Sequence, residues 1–303
     1  FYGEALKLLE MRACMPEVID AVVTQGGGFR MGPVELMDFI GHDINLAVTQ
    51  SVFQAFFQDP RYRPSLVQKA LVDAGRLGRK SGSGFYAYAD GRPSRTLPTP
   101  NWPVAGSVRI GRDAASGLAQ AFRSSGLQIE EHDGRDAIGI SDVLVLETDG
   151  RTALQCAFEA GGPVVVVDLV MDEGGATARS AAVSPGVTSA QCAAIGAAFA
   201  ALGQTIHFID DVPGLILGRT LAMIANEAAD ALQQGVATAS DLDLAMVMGA
   251  NYPLGPLAWA DRLRAGRMVS ILEALAEDCP DGRYRPSPRL RRAALTGASL
   301  APV

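Results

Sequence analysis

Three hundred and three residues, 48% hydrophobic and 19% charged, are enough for two or three globular domains with sizeable cores. A net charge of -7 without a basic stripe argues against nucleic acid as a partner. No apolar run approaches the roughly 20 residues of a membrane span, and no signal peptide opens the chain. Cys14, Cys156, Cys192 and Cys279 are scattered, with no CxxC pair and no adjacent histidine, which reads as reduced thiols in a cytoplasmic protein rather than disulfides or a metal site.

In chain order, residues 1–12 read as the end of a helix. Pro16 suits a first helical position, and Gly26-Gly-Gly28 stops that helix near Gln25. Gly32-Pro33 sets a sharp turn into the next helix, because proline presets φ and needs no N–H. Ile40, Ile44, Val48, Val52 and Phe56 recur every fourth residue and predict one long helix with a buried stripe, ended by Asp59-Pro60. A short helix over 64–74 would turn Leu66, Val67, Ala70 and Leu71 inward and stop at Gly75. Gly78-Arg-Lys-Ser-Gly-Ser-Gly84 reads as a flexible basic loop, Phe85-Tyr-Ala-Tyr88 follows, and residues 89–103 read as a linker.

The character changes over 104–210. Strands are predicted at 108–110, 127–129, 143–146, 164–167 and 205–209, and helices at 114–123, 152–160 and 191–202. Strands alternating with helices predict a parallel α/β sheet. Helices return over 211–303. Leu217, Leu221, Ile224, Ala225, Ala228 and Leu232 share one helical face, Ser240 with Asp243 reads as a capping box, and Gly249 as a stop.

This last segment repeats the first. Phe29-Arg-Met-Gly-Pro-Val-Glu-Leu-Met-Asp38 returns as Tyr252-Pro-Leu-Gly-Pro-Leu-Ala-Trp-Ala-Asp261 at a constant offset of 223. Glu4/Glu227, Asp20/Asp243 and Gly26/Gly249 keep the same offset, and Arg61-Tyr-Arg-Pro-Ser65 returns as Arg283-Tyr-Arg-Pro-Ser287 one residue out of phase. Two copies are too few for a solenoid, so the pattern is a duplicated domain. Position 1 matches Ile224 inside a helix. Phe1 is therefore expected mid-helix, and the chain is expected to be a fragment with further sequence before it.

Few motifs carry chemistry. A dinucleotide site needs Gly-x-Gly-x-x-Gly between its first strand and helix, so that backbone can approach a pyrophosphate at the helix start. The turn here is Gly111-Arg-Asp-Ala-Ala-Ser-Gly117, with the wrong spacing, although Asp133 stands where a ribose-binding acid could. This sheet is expected to bind no nucleotide. His42, His132 and His207 lack the spacing of a triad or a metal site and read as structural. Ser184-Pro-Gly186 has no nucleophile-elbow context. Arg79-Lys80 could meet a phosphate or simply be solvated, and Trp259, at the Leu36 position of the repeat, reads as core. Gly32-Pro33 places Phe29 and Met31 just outside a helix start, where a substrate could lie against free N–H groups. A plain helix lead-in with two core side chains fits that pattern equally well.

The stretches Gly26 to Gly41, Gly78 to Tyr88 and Asp211-Val-Pro-Gly-Leu-Ile-Leu-Gly-Arg219 resemble the 3-hydroxyacyl-CoA dehydrogenases. The first two are similar to the body and closing motif of that family's C-terminal helical domain, the third to its interdomain joint. The doubled arrangement resembles the long bacterial form that acts on 3-hydroxybutyryl- or 3-hydroxyadipyl-CoA in phenylacetate degradation. The resemblance implies a mainly α fold, with repeated helical domains at 1–98 and 211–303 flanking a degenerate Rossmann-like α/β domain at 104–210. In the family an N-terminal Rossmann domain carries NAD and a catalytic His–Glu pair, and an Asn at the start of the helical domain assists. The first copy here begins after that Asn, and the second has Gly218 in its place. Ala181-Ala-Val-Ser184 stands near where the His-containing strand would be. The resemblance therefore implies no catalytic, cofactor-binding or metal residue in these 303 positions, and NAD bound by a preceding domain. It implies Phe29, Met31, Gly32 and Pro33 as substrate-binding residues beside an acyl-CoA. The two copies would pack on each other as an intramolecular pseudo-dimer, with a homodimer also possible and no nucleic-acid or membrane partner. The rival reading is a non-catalytic helical dimerisation module.

Overall fold

The computed structural model describes residues 1–97, 100, 102, 107–133 and 137–301. The first helical part holds α1 (Tyr2–Glu10), α2 (Pro16–Ala21), α3 (Pro33–Ile40), α4 (His42–Ala55) and α5 (Leu66–Asp73), with a π turn over Val22–Gly26 prolonging α2. A hairpin of β1 (Tyr88–Ala89) and β2 (Arg92–Pro93) follows. The α/β part runs β3 (Val108–Gly111), α6 (Gly117–Arg123), β4 (Ile129–His132), β5 (Ile138–Ile140), β6 (Val143–Glu147), α7 (Ala153–Ala160), β7 (Val164–Val167), β8 (Ala178–Val183), α8 (Ser189–Ala200) and β9 (Thr205–Phe208). The second helical part holds α9 (Leu217–Gln233), α10 (Ala239–Ala250), α11 (Pro256–Arg262), α12 (Ala265–Asp278) and α13 (Pro288–Thr296).

The expected fold class is corrected: the chain is α/β, not mainly α around a degenerate sheet. A seven-stranded sheet in the order β4-β3-β5-β6-β7-β8-β9 forms a full layer. It is mixed rather than parallel. β3/β4, β6/β7 and β8/β9 pair parallel, while β3/β5, β5/β6 and β7/β8 pair antiparallel. The two strands missing from the sequence reading, β5 and β8, cause the difference. β5 is three residues long and enters β6 through Ser141 and Asp142, both at positive φ (51° and 61°), the geometry of a tight hairpin without the usual Asn-Gly signal. β8, Ala178-Arg-Ser-Ala-Ala-Val183, is alanine-rich and weak in strand propensity, yet five of its six residues are buried. Phe122 of α6 meets Phe199 of α8 edge-on at 5.2 Å in the core on the sheet. The reach predicted as a linker is anchored: Trp102 lies on α8, where a Cβ at Gly196 would come 2.3 Å from its ring. The predicted boundaries at 98 and 104 lie outside the described residues.

Three further details depart from the periodicity. The long helix after Pro33 breaks at Gly41, at φ 103°, into α3 and α4. Its expected buried stripe is half open, with Ile44 50%, Val48 57% and Phe56 50% exposed; Leu66 on α5 also faces out. α10 is capped by Thr238, whose hydroxyl accepts the Asp241 N–H, and not by Ser240. α9 is the hub. It packs on α11, α12 and α13 of its own half and on α1 of the other.

Candidate functional site

The Gly-Pro turns are built around buried carboxylates. Asp20 accepts the N–H groups of Val34 (2.8 Å) and Glu35 (2.9 Å), which open α3. Asp243 does the same for Leu257 (2.8 Å) and Ala258 (3.1 Å) at α11. A carboxylate there satisfies donors that have no intrahelical partner and complements the helix dipole. A Cβ on Gly32 would lie 2.2 Å from the Asp20 carboxyl oxygen, and one on Gly255 2.2 Å from the Asp243 carboxyl carbon, so each turn requires glycine. Burial pushes Asp20 up to about 6, against the pull of the Tyr86 hydroxyl, which donates to it at 2.8 Å, and of its two backbone donors. Gly32 and Pro33 are buried, and Met31 keeps part of its surface. Phe29 is buried, stacked on Phe1 at 4.9 Å and close to Tyr252 (5.2 Å) and Trp259 (5.3 Å). Tyr252 is the repeat equivalent of Phe29, so two copies of one position touch. Trp259 is core, as the sequence reading has it.

The loop expected to be flexible is pinned. Asp38 accepts the N–H groups of Phe85 and Tyr86, both at 2.9 Å, and meets His42 Nε2 at 2.6 Å. Cβ atoms on Gly84 and Gly78 would lie 2.1 and 2.2 Å from oxygens of Asp38. Asp261 holds the Leu300 and Ala301 N–H groups in the same way. Lys80 pairs with Asp43 at 2.5 Å and Arg79 stands over the Phe39 ring, so both basic residues of the loop have partners.

Charged motifs that the sequence reading noted only as marks of the repeat join the two helical parts reciprocally. Glu4, 1% exposed, takes Arg283 Nη2 at 2.7 Å, Arg219 Nε at 3.1 Å and the Tyr284 hydroxyl at 3.1 Å. Its equivalent Glu227 takes Arg61 at 2.9 Å and the Tyr62 hydroxyl at 2.8 Å. Asp59 pairs with Arg285 at 2.7 Å and Asp281 with Arg63 at 3.2 Å. Burial works to raise the Glu4 carboxyl, but the two guanidiniums hold it below the usual range. The signal was present: Glu-Ala and Arg-Tyr-Arg-Pro-Ser recur in both copies, and each motif partners the other copy's complement. Beside this network a cleft of about 500 Å³ opens between α1, α4, α9 and α10, with Val48, Val52, Tyr62, Leu242, Met246 and Tyr252 in its walls.

The α/β part offers little free chemistry. At the start of α6, a Cβ on Gly117 would lie 3.5 Å from Cγ of Glu173, whose carboxylate pairs with buried Arg179 at 2.5 Å and with Gln204 at 3.1 Å. Asp133 is exposed and pairs with Arg112 at 3.2 Å. At the start of α9, Asp168 accepts the N–H groups of Ile216 (2.9 Å), Leu217 (2.7 Å) and Gly218 (2.8 Å) and the Ser180 hydroxyl at 2.6 Å. A Cβ on Gly218 would meet Thr148 at 3.1 Å, Asp168 at 3.4 Å and Ile271 at 3.6 Å, so the position is closely packed. Burial raises the Asp168 carboxyl despite these donors. Ser184 accepts the Val164 N–H at 2.9 Å. Among the described residues no cluster of His, Cys, Asp and Glu could hold a metal ion, and no helix is long and apolar enough to cross a membrane.

Comparison with known proteins accounts for this arrangement. The family model for the 3-hydroxyacyl-CoA dehydrogenase C-terminal domain matches residues 1–88 and again 214–299. The model for the 3-hydroxybutyryl-CoA dehydrogenase reduced Rossmann-fold domain matches residues 145–213. The chain is 44% identical over 295 residues to 3-hydroxyadipyl-CoA dehydrogenase of Escherichia coli K12, covering 97% of this chain and 57% of that protein. A probable 3-hydroxybutyryl-CoA dehydrogenase of Bacillus subtilis is 38% identical over 91 residues, 30% of this chain and 32% of its own length. The crystal structure of 3-hydroxybutyryl-CoA dehydrogenase from Escherichia coli K12 superposes with a TM-score of 0.80 at 41% identity, over 97% of this chain and 57% of that one. The chain thus spans little more than half the length of its long relatives. With the helical-domain model matching at both ends and its repeated Asp-capped Gly-Pro turns, the chain belongs to the 3-hydroxyacyl-CoA dehydrogenase family.

Proposed function

We propose that these residues are part of an NAD-dependent 3-hydroxyacyl-CoA dehydrogenase that oxidises the 3-hydroxyl of a 3-hydroxyacyl-CoA, 3-hydroxybutyryl- or 3-hydroxyadipyl-CoA, to the 3-oxo group. They supply a helical wall of the acyl-CoA site and the assembly surface, while the NAD site and the catalytic groups belong to sequence outside these residues. The observation that carries the reading is the occupancy of Gly218's surroundings. The family's carbonyl-facing Asn is there replaced by glycine, and Thr148 and Asp168 crowd the point where its side chain would start. The start of α6 supports it, since it lacks a close-approach glycine and has the Glu173–Arg179 pair packed beside it.

Division into domains at 1–98, 104–210 and 211–303 follows the same reading. The reciprocal Glu4 and Glu227 networks and the Phe29–Tyr252 contact support an intramolecular pseudo-dimer, since an isologous contact places equivalent residues on both sides of an axis. Phe29, Met31, Gly32 and Pro33 border the acyl-CoA site, Met31 with the surface it keeps and the other three by fixing its place. Two assays test the reading. The full-length protein turns over 3-hydroxybutyryl- or 3-hydroxyadipyl-CoA with NAD, and the 303-residue chain does not. Met31→Ala in the full-length protein lowers kcat/KM about tenfold. Turnover by the 303-residue chain alone contradicts the division of labour, and unchanged kinetics in a folded Met31→Ala protein contradict the wall.

A further inference from the structure

The two reciprocal ion networks are not equal. Arg283 reaches Glu4 with Nε at 3.2 Å and Nη2 at 2.7 Å, and its Nη1 donates to the Arg61 carbonyl. The Tyr284 hydroxyl donates to Glu4 at 3.1 Å and accepts Arg219 Nη2 at 3.0 Å. All four side chains of this clamp are buried. The mirror network is looser. Arg61 divides its guanidinium among Glu227 (2.9 Å), Asp230 (2.5 Å) and the Arg285 carbonyl (3.0 Å), and the Glu227 side chain is 36% exposed.

Residue 3 breaks the symmetry. A Cβ on Gly3 would lie 2.5 Å from Arg283 Nη2, so glycine is what lets that guanidinium lie against α1. Glycine is a poor helix former, yet Gly3 stands inside α1. Its repeat equivalent is Asn226, which is fully buried and serves its own copy: it accepts the Ser287 N–H at 2.7 Å and donates to the Arg285 carbonyl at 3.0 Å. The second copy therefore grips the first copy's helix with a buried clamp and receives a half-open grip in return.

A helix carries a displacement along its axis. In α9, Gly218 and Glu227 lie on one continuous helix, about 14 Å apart along it. By the repeat, Glu4 marks the same distance from the first copy's counterpart of Gly218. Resting on the proposed function, we propose that Arg219, Arg283 and Tyr284 of the second copy are positioning residues for the first copy's active half. By clamping Glu4 they fix the depth and rotation of the helix that serves the substrate carbonyl. They act through that helix rather than on the reacting atoms. The duplicated copy thus contributes to turnover and not to assembly alone, because misplacing a reacting partner by about 1 Å costs up to about a hundredfold in rate.

The test uses matched variants of the full-length protein, assayed with 3-hydroxybutyryl-CoA, 3-hydroxyadipyl-CoA and NAD. Tyr284→Phe and Arg283→Lys loosen the clamp on Glu4; Tyr62→Phe and Arg61→Lys loosen the mirror grip on Glu227. Circular dichroism at the assay temperature gives the folded fraction, and kcat is taken per folded enzyme. Tyr284→Phe and Arg283→Lys lower kcat about tenfold with KM within about twofold, whereas the mirror variants keep both within about twofold. Gly3→Ala is the second arm. It leaves every charge in place and supplies a better helix former, but its Cβ displaces the Arg283 guanidinium, so kcat falls while the fold is kept. Equal kcat losses in the two matched sets overturn the positioning role, as does an unchanged kcat in folded Gly3→Ala and Tyr284→Phe proteins. In either case turnover by the parent leaves the dehydrogenase reading standing. A folded parent without turnover overturns both.

Discussion

α4 and α12 are the same helix twice, yet one is half bare and the other is core. Met268, Ile271, Leu272 and Leu275 of α12 are at most 1% exposed, while Ile44 and Val48 of α4 stand half in solvent. The α/β layer and α9 cover the first set; among the described residues nothing equivalent covers the second. The difference teaches that helical periodicity reports a face to be covered and not where the cover comes from.

The comparison breaks most visibly at the buried ion network. Glu4→Ala strands Arg219 and Arg283 without their anion and lowers stability by about 3–5 kcal/mol. Glu227→Ala, with its side chain 36% exposed, lowers it by about 1 kcal/mol or less. Urea unfolding of the two variants measures both, and equal losses would show that the copies contribute alike. The next largest contrast is between the equivalent helix positions. Ile271→Ala costs about 2–5 kcal/mol by cavity formation, whereas Val48→Ala in the 303-residue chain changes stability by less than about 0.5 kcal/mol. A large loss at Val48 would mean that the face is already covered in solution.

The Gly-Pro turns give a smaller separation. Gly32→Ala forces a Cβ onto Asp20, which is fully enclosed, and costs about 1–3 kcal/mol. Gly255→Ala costs less, because Asp243 is half-buried and can swing aside. Equal melting temperatures for Gly32→Ala and the parent would refute the close-packing account. The smallest effect is a pH dependence. Asp20 is raised from its ordinary 3.8 to about 6, so the folded chain holds a proton there that the unfolded chain has released. Its contribution to stability therefore falls as pH rises from about 4 to 6. The wild-type stability curve, minus that of Asp20→Asn, declines across that window; a flat or rising difference contradicts the raised value.

The duplication, the helix lead-ins and most of the strands were legible because each has a local cause. Proline, glycine and apolar spacing act within a few residues, and the offset of 223 is read directly. β5 and β8 were not legible, since Ser141-Asp142 lacks the common hairpin signal and alanines gain strand geometry only from burial between neighbours. The misplaced stripe on α4 and the flexible reading of the Gly78–Gly84 loop fail for one reason. In the first case nothing among the described residues covers the stripe, and in the second the Asp38 carboxylate that makes glycine obligatory lies some forty residues away in sequence, so neither outcome is set by local spacing. The reciprocal Glu–Arg–Tyr clusters were present as repeated motifs, but only their pairing across the two copies shows what they do.

The central claim is that these residues build the wall and the assembly surface of a dehydrogenase without its nucleotide site. Isothermal titration of NADH into the 303-residue chain tests it most directly. The account predicts no saturable heat; a dissociation constant in the low micromolar range would contradict it.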